Sequence, residues 1–319
     1  MTRVFLPWKV FAYFVSVLTV SKENPDAVQP SSQVAGERLP GDYFMPPPPG
    51  PIQEKIAMPG VKNVVAVASG KGGVGKSTVA TNLALALHML GRRVGLLDAD
   101  IYGPSIPIMM GVKEVFDPNT AQFPLDRYGI KLMSMGFVVK PETAMIWRGP
   151  MVHKYITAFL TQINWGELDY LVIDLPPGTG DAQLTLTQTA PLSGAVIVTT
   201  PQDVSLIDAR KGLEMFNQVR VPVLGIVENM SYFLGADGKR YEIFRHGGGK
   251  KLAQETGVPF LGEIPIDPKV AECGDTGDPI VHKHPDCPIA KTYLDLAGVV
   301  AEQIIKSSDA ASELPTLNL

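Results

Sequence analysis

Gly70-Lys71-Gly72-Gly73-Val74-Gly75-Lys76-Ser77-Thr78 decides the fold. A glycine, four residues, then Gly-Lys-Ser is the spacing of a loop that cradles phosphates. Glycines let successive backbone N–H groups turn toward the oxygens of an anion and approach them closely. Lys76 adds a point charge for the β- and γ-phosphates, and the Ser77 hydroxyl suits Mg²⁺. The positive end of a helix starting here faces the same anion. The stretch therefore reads as a site for ATP with magnesium, formed by Gly70, Lys71, Gly72, Gly73, Val74, Gly75, Lys76, Ser77 and Thr78. Lys71, directly after the first glycine, is an additional cation that narrows the subclass.

The flanks agree with the loop. Val64-Val65-Ala66-Val67-Ala68 is an apolar run of buried parallel-strand type. After the loop, Val79, Leu83, Leu87 and Leu90 recur at helical spacing, with Gly91 placed to cap the end. Further along, apolar strand-like runs at 93–97, 130–134, 169–174, 194–200 and 221–227 alternate with helical patterns near 150–163, 181–190, 203–217, 247–256 and 288–306. That alternation predicts an α/β fold, a mostly parallel sheet with helices on both faces.

In such sheets ligands lie beyond the carboxyl ends of the strands, and three acids fall there. Asp174 ends Leu171-Val172-Ile173, where a carboxylate holds a water of the Mg²⁺ shell. Asp98 and Asp100 follow the second strand in alternation, so one faces the metal and the other reaches toward an attacking water. Asp98 is assigned to magnesium and Asp100 to orienting the water in line with the γ-phosphate. Capping of turns is the competing use of all three. Pro176-Pro177-Gly178-Thr179-Gly180-Asp181 reads as a switch loop or as a rigid turn. Asn229 follows the strand ending at Val227. Its amide carries a donor and an acceptor suited to the adenine edge, and a plain turn residue is the other reading.

The net charge of −4 argues against a nucleic-acid partner. Two cysteines, Cys273 and Cys287, make a disulfide framework implausible and fit a reducing compartment. The cytoplasm is the expected location. Residues 1–60 differ in kind. Phe5 to Val20 is mostly apolar and no acid precedes Glu23, which fits a signal-like or organelle-targeting segment, with the mitochondrion as the alternative location. Its uninterrupted part, Val10 to Val20, is short for a membrane span. Contact with a membrane is expected only if this segment is retained. Residues 24–60 are proline-rich and read as an extended linker. The expected division is an N-terminal segment 1–60, an ATPase domain 61–306 and a flexible tail 307–319.

Together these residues resemble the deviant-Walker P-loop ATPases of the MinD/ParA group. Within that group the chain is similar to the Mrp/ApbC family of iron–sulfur carrier ATPases. The resemblance runs from about Val61 to Ala301 and is carried by Val67 to Thr78, Leu97-Asp98-Ala99-Asp100-Ile101-Tyr102-Gly103-Pro104-Ser105, Trp147-Arg148-Gly149-Pro150-Met151, Asp174 to Asp181, Thr200-Pro201-Gln202-Asp203 and Glu228-Asn229-Met230-Ser231. It implies a homodimer that forms with nucleotide, in which Lys71 reaches the partner's phosphates. It also implies catalytic roles for Lys71, Lys76 and Asp100, adenine contact by Asn229, an iron–sulfur cluster as cargo and apo iron–sulfur proteins as clients. One departure stands out. The family holds Cys-x-x-Cys just after Asn-Met-Ser, whereas Ser231 to Tyr241 contains no cysteine. Thiolates are the usual cluster ligands, so the cluster lacks its usual anchorage. His246, His282 and His284 are residue types that could ligate a metal, but as lone histidines near turns they are read as structural or solvent-facing, and no ligand beyond magnesium's is assigned. Two other readings compete: a MinD/ParA-type ATPase that positions or regulates a protein partner, and an electron-donating ATPase like the nitrogenase iron protein. The first usually uses a basic amphipathic C-terminal helix, which Ile304 to Glu313 is not. The second needs cysteines inside the nucleotide-binding fold.

Overall fold

Val61–Ala68 forms β1, an almost wholly apolar strand between two parallel neighbours, Leu168–Asp174 (β5) and Gly194–Thr199 (β6). The structure is a computed structural model describing residues 55–113, 123–138 and 149–312. These lie in one unit, Pro49–Leu319. Residues 1–54 and 313–319, and with them most of the expected N-terminal segment, lie outside the described residues, as do Trp147 and Arg148.

The other strands are Val94–Asp98 (β2), Leu125–Arg127 (β3), Ile130–Ser134 (β4), Val223–Leu234 (β7), Arg240–Tyr241 (β8) and Phe260–Ile266 (β9). The described sheet has nine strands in the order β3-β4-β2-β5-β1-β6-β7-β8, with β9 paired to β7. All pairings are parallel except β3 with β4 and β8 with β7. The helices are Lys76–Met89 (α1), Ile106–Met109 (α2), Gly149–Thr161 (α3), Asp181–Thr189 (α4), Asp203–Gln218 (α5), Gly248–Thr256 (α6), Pro268–Asp275 (α7), Ile280–Lys283 (α8) and Pro288–Ser312 (α9). The sheet is thus mostly parallel and carries helices on both faces, as the alternation predicts. α1 packs with α9, α5 with α6, and α3 with α4.

Burial explains the elements. β2 and β6 are buried along their whole length, which their unbroken apolar runs require of strands covered on both sides. In α1, Val79, Leu83 and Leu87 are fully buried. Leu90, expected on the same stripe, is 46% exposed and sits at the C-cap instead. Gly91 follows with φ 79°, the left-handed helix stop. α9 continues to Ser312, past the expected end at 306. No helix among the described residues is long and apolar enough to cross a membrane.

Register positions the site. In the β2–β5 pair Asp98 stands opposite Asp174, and in the β1–β5 pair Val67 stands opposite Asp174. The ends of three adjacent strands, and the loop leaving β1, therefore meet at one place.

Candidate functional site

The loop between β1 and α1 has one closed side and one open side. A Cβ on Gly70 would lie 2.1 Å from the Asp208 carbonyl carbon of α5, and one on Gly75 would lie 2.2 Å from the Asn229 Nδ2. A Cβ on Gly72 or Gly73 would meet nothing within 4 Å. Gly73 and Gly75 both have φ 81°, which L side chains rarely adopt. The loop is thus pressed onto α5 and β7 from below, while its glycines leave clear space above.

Beneath that space lies Lys76, only 6% exposed, beside two acids. Its Nζ lies 2.6 Å from Asp174 Oδ1 and 3.9 Å from Asp100 Oδ2, and donates to Ser77 Oγ at 3.2 Å. Asp174 is fully buried, and its Oδ2 has no hydrogen-bond partner. Burial pushes the Asp174 carboxyl up, while the Lys76 ammonium pulls it back. Burial, then the repulsion of Asp174, pushes Asp98 up to about 8. One ammonium among three carboxylates leaves net negative charge. A divalent cation is the natural complement of such a set, and the unpartnered Asp174 oxygen is an acceptor without a donor. The residues present therefore fit Mg²⁺ with a polyphosphate.

The two acids after β2 differ from each other. Both Asp98 oxygens already accept: Oδ1 from the Asp100 N–H at 3.1 Å, Oδ2 from the Ile106 N–H at 3.3 Å and from Ser134 Oγ at 2.9 Å. Its visible work is to fold the 98–106 loop, so the turn-binding use of this acid is realised here. Asp100 is 8% exposed, accepts the Gly103 N–H at 3.3 Å and stands nearer the open space. The loop after β5 is stitched to the same centre. Leu175 N–H donates to Val67, Gly178 N–H to Ser69 and Ala99 N–H to the Asp174 carbonyl, at 3.0, 2.9 and 3.0 Å.

Lys71 stands apart from Lys76. Its side chain lines an open groove of about 640 Å³ together with Asp203, Val204, Glu242, Ile243 and Arg245. Among the described residues its ammonium has neither an ion pair nor a hydrogen bond. Asn229 has a role that sequence reasoning missed: its Nδ2 donates to the Val74 carbonyl at 2.8 Å and so ties β7 to the phosphate loop. The amide retains an oxygen and one N–H for other partners. Also missed were Glu228, wholly buried, and Gln183 of α4, buried with neither amide atom paired. The Glu-Asn-Met-Ser stretch signalled Glu228 only as part of a motif.

The segment where the resemblance expects thiolates is a closed hairpin. Phe233 pairs with Tyr241 across β7 and β8, Gly235 N–H donates to the Lys239 carbonyl, and Asp237 accepts from the Lys239 N–H and the Tyr241 hydroxyl. Cys273 is buried in α7, where burial pushes its thiol up, and Cys287 lies half-buried just before α9. Among the described residues no three His, Cys, Asp or Glu side chains are grouped to hold a metal ion by themselves, so Mg²⁺ at the glycine loop would depend on phosphate and water ligands as well. His246 touches Ser231, and His282 pairs with Asp278 at 2.6 Å.

A parallel sheet with a glycine loop at its centre, a buried lysine behind the loop and an acid at the end of the adjacent strand define a P-loop NTPase. The family model described as ParA, NUBPL iron-transfer P-loop NTPase, matches residues 60–301, and the chain belongs to that family. Relatives include an iron-sulfur cluster carrier protein of Aquifex aeolicus, 52% identical over 81% of this chain and 72% of its own length. The iron-sulfur cluster transfer protein NUBPL of Dictyostelium discoideum is 50% identical over 80% of each chain. Among solved structures, a nucleotide-binding protein from Archaeoglobus fulgidus in complex with ADP is 43% identical, with a TM-score of 0.59 over 68% of this chain and 87% of that one.

Proposed function

We propose that this protein binds and hydrolyses Mg-ATP as a homodimer and uses that cycle to carry or deliver iron–sulfur clusters to apo-proteins. The observation that carries the ATPase reading is the buried Lys76 among Asp98, Asp100 and Asp174 beneath the open face of Gly72 and Gly73. Ser77, with Asp174 and Asp98 through water, would hold Mg²⁺, which supplies positive charge at the β- and γ-phosphates. On binding, Lys76 exchanges the Asp174 carboxylate for phosphate oxygens. Asp100 then orients the attacking water, and Asn229 offers its remaining amide atoms to adenine. The dimer reading draws on Lys71, whose free ammonium faces solvent in a groove beside the exposed apolar residues Val204 and Ile243. From there it acts on the nucleotide of a second copy, as an arginine finger does in trans.

The cluster reading rests on the family and on the relatives' names, not on a thiolate site in the hairpin. A second reading has its own support. The apolar surface at Val204, Ile207 and Ile243, each about 60% exposed, suits a protein partner, and the hairpin without cysteine suits an ATPase that regulates such a partner. We place the catalytic unit within 61–306 and the protein in the cytoplasm, or in an organelle such as the mitochondrion if residues 1–60 act in targeting.

Two measurements separate the readings. Phosphate release from Mg-ATP tests the ATPase. Anaerobic reconstitution with iron and sulfide tests the cluster: a brown dimer holding about two irons or more supports carriage. A colourless protein with full ATPase activity supports the partner-regulating reading.

A further inference from the structure

His246-Gly247-Gly248-Gly249-Lys250-Lys251 looks like a second anion loop, with glycines opening a helix and lysines behind them. The fold fills that loop from within. Gly247 N–H donates to Glu228 Oε1 at 3.0 Å and Gly249 N–H to Oε2 at 2.5 Å, while Ser231 Oγ donates to Oε1, also at 2.5 Å. Glu228 is wholly buried; His246 Nδ1 lies 3.9 Å from its Oε1 and 3.1 Å from Ser231 Oγ, and among the described residues no lysine or arginine lies within ion-pair distance of the carboxylate. The α6 N-terminus supplies the compensating positive end. Each glycine sits in a tight contact or a left-handed conformation. Gly247 has φ 77°, and a Cβ on Gly248 would lie 2.6 Å from Leu206 Cδ1 and 2.9 Å from the Pro201 carbonyl. A Cβ on Gly249 would lie 3.1 Å from the Glu228 Cβ.

Between the linked pair Glu228 and Ser231 lie Asn229 and Met230. Met230 has φ 55°, a left-handed conformation that is strained for a non-glycine residue and persists only where neighbours impose it. The β7–β9 register breaks here as well, between Asn229 and Phe233. This bulge within β7 aims the Asn229 amide at the Val74 carbonyl and brings the Met230 Cε within 3.5 Å of where a Cβ on Gly75 would sit.

We propose that Glu228 is a positioning residue for the phosphate loop. Its carboxylate, locked on the α6 N-terminus and on Ser231, holds the Met230 bulge of β7 that sets Asn229 against Val74. Glu228 thus acts on nucleotide through Asn229 and never touches it.

The test uses the full chain with Glu228→Gln, which keeps the size but turns an amide NH₂ toward N–H donors, and Ser231→Ala, which removes one donor. Hydrogen exchange of residues 72–78 without nucleotide, Kd for Mg-ATP, and kcat and KM for hydrolysis are read. Exchange at 72–78 and KM should both rise about tenfold, with kcat changed less than about twofold. Ser231→Ala combined with Asn229→Ala should be no weaker in Mg-ATP binding than Asn229→Ala alone. A lower melting temperature with unchanged exchange at 72–78 would overturn the proposal, as would additive losses in the double variant. If Glu228→Gln does not fold, Ser231→Ala is judged by the same thresholds. The kinetic measurements rest on the nucleotide reading above. The exchange measurement does not, so a wild type that fails to bind Mg-ATP would sink that reading while exchange still decides the role of Glu228.

Discussion

Lys76 is the residue on which the site turns. Removing its side chain takes away the charge aimed at the β/γ-phosphates and leaves the fully buried Asp174 without its 2.6 Å partner. Lys76→Ala should lower ATP hydrolysis about a hundredfold or more and weaken nucleotide binding. Near-wild-type turnover would refute the P-loop assignment. Lys71 makes a different prediction, because its ammonium is unpaired among the described residues and lines a separate open groove. Lys71→Ala should keep ATP binding and lose hydrolysis. If the protein dimerises and Asp100 orients the water as proposed, mixing it with Asp100→Ala protein should create mixed dimers in which one site holds both residues intact, so activity should partly return. No return, with exchange of subunits demonstrated, would place Lys71 in cis.

The elements translate these residues into geometry, and here the sequence was unevenly informative. β1, the glycine loop and α1 were legible because an unbroken apolar run, a fixed glycine spacing and a helical stripe are local signals. Asp98 and Asp174 were legible as strand-end acids. That they stand directly opposite each other depends on the β2–β5 register, which no local pattern encodes. β9 was not foreseen: Gly262 and Pro265 break up its short, partly buried pattern. The anchorage of Asn229 on Val74 joins residues 155 positions apart, beyond the reach of any spacing argument. The loop's two faces can be separated by experiment. Gly70→Ala puts a methyl into the α5 backbone at 2.1 Å, so it should destabilise the fold by about 2 kcal/mol or more, read as a lower urea midpoint. Gly72→Ala meets nothing in the protein, so it should leave the midpoint within about 1 kcal/mol while weakening ATP binding, because its methyl enters the phosphate space. Equal losses of stability in the two variants would refute the two-faced description.

At the scale of the molecule, the end of the sheet remote from the site is fastened by charge. Asp169 of β5 accepts the Arg93 backbone N–H at 2.9 Å and pairs with the Arg93 guanidinium and with Lys62 of β1, joining β1, β5 and the start of β2 at one carboxylate. These partners, the Arg93 side chain foremost, hold the Asp169 carboxyl far below its ordinary value of 3.8. In the folded chain it therefore stays ionised at pH values where the unfolded chain has taken up a proton. Its contribution to stability is complete above about pH 4 and is lost as pH falls further, because protonation then favours the unfolded state. Arg93 and Lys62 are more than half exposed, so solvent screening limits the contribution to about 1 kcal/mol. Asp169→Asn should accordingly lower the melting temperature by a few degrees at most at pH 7, and by less in 1 M salt, where the Debye length shrinks to about 3 Å. The gap between variant and wild type should close as the pH is taken from 5 toward 2. Melting curves across that range, monitored by circular dichroism, decide the matter: a gap that widens in acid would mean that the carboxylate is not the fastening group, and that the remote end of the sheet is held by its apolar packing alone.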